Sequence, residues 1–156
     1  MKIRKARKFE LKEISKIFKE VFNDKPYLDK WTDKTAFEHI KHEFLIGEIF
    51  VFLQERKIIG IIIIRKNIAP DGNIAEIKDF AILRKYCGRG IGSEVIKEIE
   101  IKLKKENYKG IYLETYHKSK AVDFYKKNRY KLSKYTAFMI KELRWGSRNK
   151  KWALIL

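Results

Sequence analysis

Residues 87–92 read Cys-Gly-Arg-Gly-Ile-Gly, and no other stretch restricts the fold so strongly. Inside a regular element a glycine costs about 0.5–1 kcal/mol relative to alanine, because it surrenders the most backbone freedom on folding. Three in alternation are kept where the backbone must turn sharply or let a ligand come close. Before them lies a branched, apolar run over residues 74–83; after them Ile91, Val95, Ile96, Ile99 and Leu103 recur on one helix face. A strand therefore passes through a glycine turn into a helix, whose first N–H groups have no partner within the helix and carry the positive end of its dipole. That is an anion site by geometry. Arg89, with Arg84 and Lys85 nearby in sequence, adds positive charge. Two familiar phosphate loops do not fit. No Gly-Lys-Ser/Thr follows the turn, and Gly90 and Gly92 are two apart where a dinucleotide fingerprint needs three.

The remaining elements follow from periodicity. Residues 2–7 read as an edge strand, and 10–22 as a helix through Leu11, Ile14, Ile17, Phe18, Val21 and Phe22. Pro26 interrupts residues 23–31, which form a loop carrying aromatics, and a second helix spans 33–44 behind a Thr32 or Asp33 cap. Residues 48–54 and 57–65 make a hairpin across Glu55-Arg56. Residues 110–115 are a strand, 120–128 a helix and 130–143 two final strands. The chain is thus predicted to be an α/β (α+β) domain over residues 1–143, with a mixed, mainly antiparallel central sheet of six to seven strands flanked by about four helices. Residues 144–156 form a basic extension with an apolar end, read as an added strand, a homodimer contact or a disordered tail.

At 156 residues the chain can close a hydrophobic core without disulfides or metal. Cys87 is the only cysteine, which excludes an intramolecular disulfide and a thiolate metal cluster. His39 and His42 are three apart on a helix but lack a third ligand nearby, and with His117 they do not make a metal set, so no metal is expected. No apolar run is long enough to span a bilayer, and the first residues carry no apolar leader; a cytoplasmic protein with no membrane partner is expected. The formal charge of +17 attracts polyanions: nucleic acid, an anionic membrane surface or a phosphate-rich cofactor. Its spread along the chain selects none of them.

Residues 74–96, IAEIKDFAILRKYCGRGIGSEVI, resemble the cofactor-binding core of the GCN5-related N-acetyltransferases, whose signature is Arg/Gln-x-x-Gly-x-Gly/Ala after a long strand. Cys87-x-x-Gly90-x-Gly92 matches both glycines, and Ala121-Val-Asp-Phe-Tyr125-Lys-Lys is similar to the family's Ala-x-x-Phe-Tyr-x-Lys helix. The resemblance covers residues 2–142 in element order. It implies acetyl-CoA as cosubstrate and transfer of acetyl to an amine acceptor. The pyrophosphate would rest on Cys87, Gly88, Arg89, Gly90, Ile91 and Gly92, and the pantetheine arm on the backbone of Phe80, Ala81 and Ile82. Lys118 begins the second motif and joins the cofactor set, and Tyr125 would lie beside the thioester sulfur. Three positions depart from the pattern: Cys87 stands for Arg or Gln, Lys118 for Asn, and Arg129 for Gly.

An alkylammonium of ordinary pKa near 10.4 presents only about one neutral molecule in 2,500 at pH 7, so a general base is useful. Glu76 matches a catalytic glutamate of the histone-acetyltransferase branch and is the expected base; Asp79 competes. On an unbroken strand residues 76 and 79 point to opposite faces, so both line one cleft only if a bulge intervenes. The backbone N–H of Ala81 or Ile82 would hold the oxyanion, and Tyr125 would donate to the departing sulfur. Tyr27, Trp31 and Tyr116 are expected around the acceptor. The alternative function is a non-catalytic basic module on the same fold that binds nucleic acid.

Overall fold

A computed structural model of the chain describes residues 1–68, 70, 72–117, 119–137 and 139. Strands β1 (Lys2–Lys5), β2 (Glu48–Gln54), β3 (Lys57–Asn67), β4 (Ile74–Ile82) and β5 (Gly110–Leu113) form one sheet in the order β1-β2-β3-β4-β5. Adjacent strands are antiparallel except β4 and β5, which are parallel. Helices α1 (Leu11–Asn23) and α2 (Asp33–Ile46) cover one face; α3 (Ile91–Lys105) and α4 (Lys120–Lys127) cover the other.

The run Lys57–Asn67 lacks the polar alternation of a half-exposed strand because β3 is buried on both sides. Ile58, Ile61 and Ile63 join the core under α1 and α2, while Ile59, Ile62 and Ile64 join the core under α3. Each isoleucine taken out of water contributes about 1.5–3 kcal/mol. The β2–β3 turn places Glu55 and Arg56 at φ 49° and 64°, the pair of left-handed residues that suits the twist of a two-residue hairpin. Thr32 caps α2 by accepting from the Thr35 N–H at 3.1 Å.

The sheet has five strands among the described residues, not the expected six to seven. Residues 130–137 carry no strand, and the rest of 138–143, apart from Met139, lies outside the described residues, as does the 144–156 extension. Leu132 and Tyr135 are 62% and 99% exposed, so these two side chains pack on no sheet face.

Register in β4 carries the main consequence for function. Ile63 pairs with Asp79 but Ile64 pairs with Ile77, so Lys78 is an extra residue, a β-bulge. The side-chain phase inverts across it. Ala75 and Ile77 face α3, and so do Phe80 and Ile82; Ala81 faces α1 and α2.

Gly60 sits where β3 crosses this region. A Cβ there would lie 2.5 Å from the Ala81 carbonyl oxygen and 2.8 Å from the Phe52 ring. Gly60→Ala should therefore lower stability by about 1–3 kcal/mol, read as an earlier denaturant midpoint with an unchanged slope. An unshifted midpoint would contradict the close packing.

Candidate active site

β5 pairs with β4 only from Ile74–Gly110 to Ile77–Leu113, while β4 continues to Ile82. No strand among the described residues takes the β5 side of residues 78–82. Which backbone groups face that open edge follows from ladder alternation. The Leu83 N–H donates to the Ile59 carbonyl at 2.9 Å, so two residues earlier Ala81 also turns its N–H toward β3. Phe80 and Ile82 then turn theirs outward. Of the two expected oxyanion donors, Ala81 thus turns its N–H into the sheet, and Ile82 turns outward with Phe80.

Beyond β4 the chain makes a 3-10 turn at Arg84–Tyr86 and enters the glycine segment. Gly88 and Gly90 have φ of 76° and 80°, where a side chain is strained, and a Cβ at either would have no atom within 4 Å. Gly90 is the N-cap of α3 and has no side chain to satisfy the first N–H groups, which keeps them available to an anion. Gly92 serves differently. A Cβ there would stand 3.0 Å from the Phe124 ring, so this glycine admits α4 against the first turn of α3. Arg89 and Lys85 lie over the Tyr86 ring, at 5.7 and 5.2 Å. Arg84 is held by Asp24 of the α1–α2 loop at 2.7 Å. The Cys87 thiol is turned back toward the Ile82 and Leu83 carbonyls, at 3.6 and 3.8 Å.

Opposite the open edge, α4 brings in Tyr125, packed against Phe124 and Tyr130 at ring separations of 5.1 and 5.5 Å. Burial, then the neighbouring Tyr27 and Asp79, push its phenol well above the ordinary range, so the hydroxyl stays protonated. Burial, followed by Tyr116 and Cys87, raises Tyr27 as well. The Tyr27 and Tyr116 rings are 6.0 Å apart. Tyr27 is thus within electrostatic reach of Tyr116, Cys87 and Tyr125, and Tyr125 of Asp79, although these residues are spread from position 27 to position 125. Trp31 stands behind them. Its ring packs on Phe18 and His39 at 4.9 and 5.2 Å, and its indole N–H donates to Asp29 at 3.1 Å. Ile91 lies half-buried at the start of α3, and Lys118 is outside the described residues.

Because of the bulge, Glu76 and Asp79 share the face under α2. Asp79 Oδ2 lies 2.8 Å from His39 Nε2. Glu76 stands opposite Arg65, at 3.8 Å, and Arg65 also grips Glu43 through two hydrogen bonds of 2.8 and 2.5 Å. The Glu43 hydrogen bonds, opposed by burial and helped by Glu76 and Asp79, raise the Arg65 pKa and keep it charged. Tyr112 pairs in register with Glu76, and its hydroxyl accepts from Asn67 at 3.0 Å. Glu43 and Arg65 escaped the sequence reading, which weighed His39 only beside His42 as a metal ligand. His42 is exposed; His39 turns inward. Its spacing of four from Glu43 was the one available signal. Among the described residues no group of three or more His, Cys, Asp or Glu could hold a metal ion, and no helix is long and apolar enough to cross a membrane.

Comparison with known proteins gives this geometry its context. A family model described as "Acetyltransferase (GNAT) family" matches residues 11–129. No curated protein sequence gives a significant match. Among solved structures, a possible acetyltransferase from Clostridium difficile 630 superposes with a TM-score of 0.80 at 19% identity, over 92% of this chain and 98% of that one. A ribosomal-protein-alanine N-acetyltransferase from Brucella melitensis biovar Abortus 2308 gives 0.74 at 10% identity, over 91% and 100%. An aminoglycoside acetyltransferase from an uncultured soil metagenomic sample, in complex with sisomicin, gives 0.69 at 17% identity, over 92% and 96%. At such identities these likenesses show a shared fold. The family match itself runs from the start of α1 through the whole of α4 and so takes in the glycine turn, the open strand edge and Tyr125, and on that ground the protein belongs to the acetyltransferase (GNAT) family.

Proposed function

We infer that the protein transfers an acetyl group from acetyl-CoA to a primary amine of a small molecule or protein, by direct attack of the amine on the thioester. One observation carries this reading: β4 loses its β5 partner after Ile77 and runs, one backbone edge open, into the glycine turn and α3. The rival reading, a basic module that binds nucleic acid, rests on the +17 charge, which does not account for an open strand edge ending at a glycine turn.

The residues fit the cosubstrate. The exposed backbone at 88–90 and the uncapped N–H groups of α3 suit a pyrophosphate, and the open edge of residues 78–82 suits the amide-bearing arm. When bound, acetyl-CoA supplies the activated acyl group. The outward N–H groups of Phe80 and Ile82 lie on the edge where an oxyanion would develop. Tyr125, kept protonated by burial, donates a hydrogen bond to the departing sulfur. Tyr27 and Tyr116 line the approach of the acceptor, with Trp31 as the wall behind.

Proton removal falls to a carboxylate under α2. The family resemblance assigns it to Glu76, acting directly or through water. A second reading assigns it to Asp79, favoured by its contact with His39 and its influence on Tyr125, whereas Glu76 faces the Arg65 cation.

Gly90→Val should weaken CoA binding at least tenfold in calorimetry while the protein stays folded, because a branched residue at this φ displaces N–H donors worth about 1.5–3 kcal/mol each to a charged acceptor. Unchanged affinity would overturn the pyrophosphate site. Tyr125→Phe should lower kcat by about 10–100-fold and leave acetyl-CoA affinity unaltered, the pattern of an interaction made only as sulfur departs. Normal turnover with chemistry rate-limiting would return Tyr125 to packing alone. Glu76→Gln and Asp79→Asn separate the two bases in pH–rate profiles with one amine: the variant of the true base loses most near neutrality and recovers as pH rises, since the free-amine fraction grows about tenfold per unit. A parent-like profile acquits the residue replaced.

A further inference from the structure

Asn23, the last residue of α1, holds the backbone of Trp31 with its side chain. Its Nδ2 donates to the Trp31 carbonyl at 2.8 Å, and its Oδ1 accepts from the Trp31 N–H at 2.9 Å. A carboxamide offers a donor and an acceptor side by side, so Asn23 meets Trp31 as a neighbouring strand would. One residue earlier, the Phe22 carbonyl accepts from the Asp29 N–H at 2.8 Å. These bonds close the neck of a loop over residues 24–30. Within it the Asp24 carbonyl accepts from the N–H groups of both Tyr27 and Leu28, at 3.1 Å each, and Leu28 takes the left-handed conformation at φ 52°. The chain is turned back on itself, and Tyr27 is set against Phe22 and Tyr116, at ring separations of 5.0 and 6.0 Å.

Two anchors hold this loop, and they differ in strength. Arg84 grips Asp24 at 2.7 Å, but the two side chains are 80% and 44% exposed, where an ion pair contributes little. The neck at Asn23 is part-buried, and losing it strands one donor and one acceptor of the Trp31 backbone. The Trp31 ring carries the contact inward, onto Phe18 and His39. Resting on the transferase reading, we propose that Asn23 is a positioning residue for the acceptor amine. By closing the neck it fixes Tyr27 on the approach and Trp31 behind it before any acceptor arrives, so binding does not have to order residues 24–30. The surfaces that suit the cosubstrate, the open β4 edge and the glycine turn, come from residues 78–92 and do not include the neck. The two substrates should therefore respond differently to its loss.

A merely structural Asn23 would lower stability and leave both Michaelis constants where they were. Asn23→Ala removes both hydrogen bonds, and Asn23→Ser keeps a hydroxyl too short to serve both Trp31 groups. The experiment measures thiol release from acetyl-CoA, with putrescine, phenethylamine and a lysine-containing peptide as acceptors, for the parent and both variants below the melting midpoint of each. NMR follows the contact between the Tyr27 and Tyr116 rings. The expected result is a fall of about 10–100-fold in kcat/KM for the acceptor, with KM for acetyl-CoA within about twofold of the parent and a weakened ring contact in both variants. Variants that keep the parent's acceptor kcat/KM overturn the positioning role and leave the transferase reading standing. So does a rise of equal size in both KM values, which marks general loosening. If the parent neither binds CoA nor acetylates any of the three amines, the transferase reading falls and the proposal with it. If it binds CoA but transfers to none, the ring contact decides: its loss in Asn23→Ala at unchanged CoA affinity supports the clamp, and its persistence overturns it.

Discussion

The extra residue at Lys78 decides what the rest of the site can be. It lets β4 satisfy two demands that a regular strand cannot meet together. Before the bulge, Ala75 and Ile77 are needed in the core under α3; after it, Phe80 and Ile82 are needed in the same core, against Phe52, Phe124 and the start of α3. These positions differ by an odd number, so a pleat of period two would send one pair to the wrong face. The same inversion places Glu76 and Asp79 together under α2, within reach of Arg65 and His39. Packing and chemistry are thus consequences of one local irregularity.

The carboxylates that result are not equivalent. Burying Glu43 to 1% exposure is expensive unless its charge is matched, and Arg65 matches it with a two-pronged grip while also facing Glu76. Arg65 is therefore a structural cation that also stands 3.8 Å from Glu76. Asp79, also within electrostatic reach of Arg65, has its close contact with His39. Their close partners, Arg65 for Glu76 and His39 for Asp79, set apart two acidic groups of one strand.

The two motifs of the chain are physically joined at Gly92. Its missing side chain makes room for Phe124, and the adjacent Tyr125 is carried by α4 to the point where β4 leaves β5. The three glycines of the turn thus divide their work. Gly88 and Gly90 supply left-handed backbone that stays open, while Gly92 supplies helix-to-helix contact that positions the phenol.

Much of this architecture could be read without coordinates, because its signals are local. Helical spacing found α1, α2 and α3 within about two residues at each end, and Glu55-Arg56 located the β2–β3 turn. Glycine alternation located the left-handed turn before α3, and the paired motifs identified the family that the match over residues 11–129 shows. Local signals failed where apolar side chains lacked a tertiary partner, as at Leu132 and Tyr135, where strands were expected. Others depend on contacts between residues far apart in the chain. The Lys78 bulge, the outward turn of the Phe80 and Ile82 N–H groups, the Arg65 grip on Glu43 and the inward turn of His39 toward Asp79 all follow from strand register and helix docking. Sequence alone determined which elements form and which carboxylates, tyrosines and glycines were available, since propensity and periodicity act over a few residues. Tertiary structure decided which of them meet, because register and burial are settled only when distant segments compete for the same core.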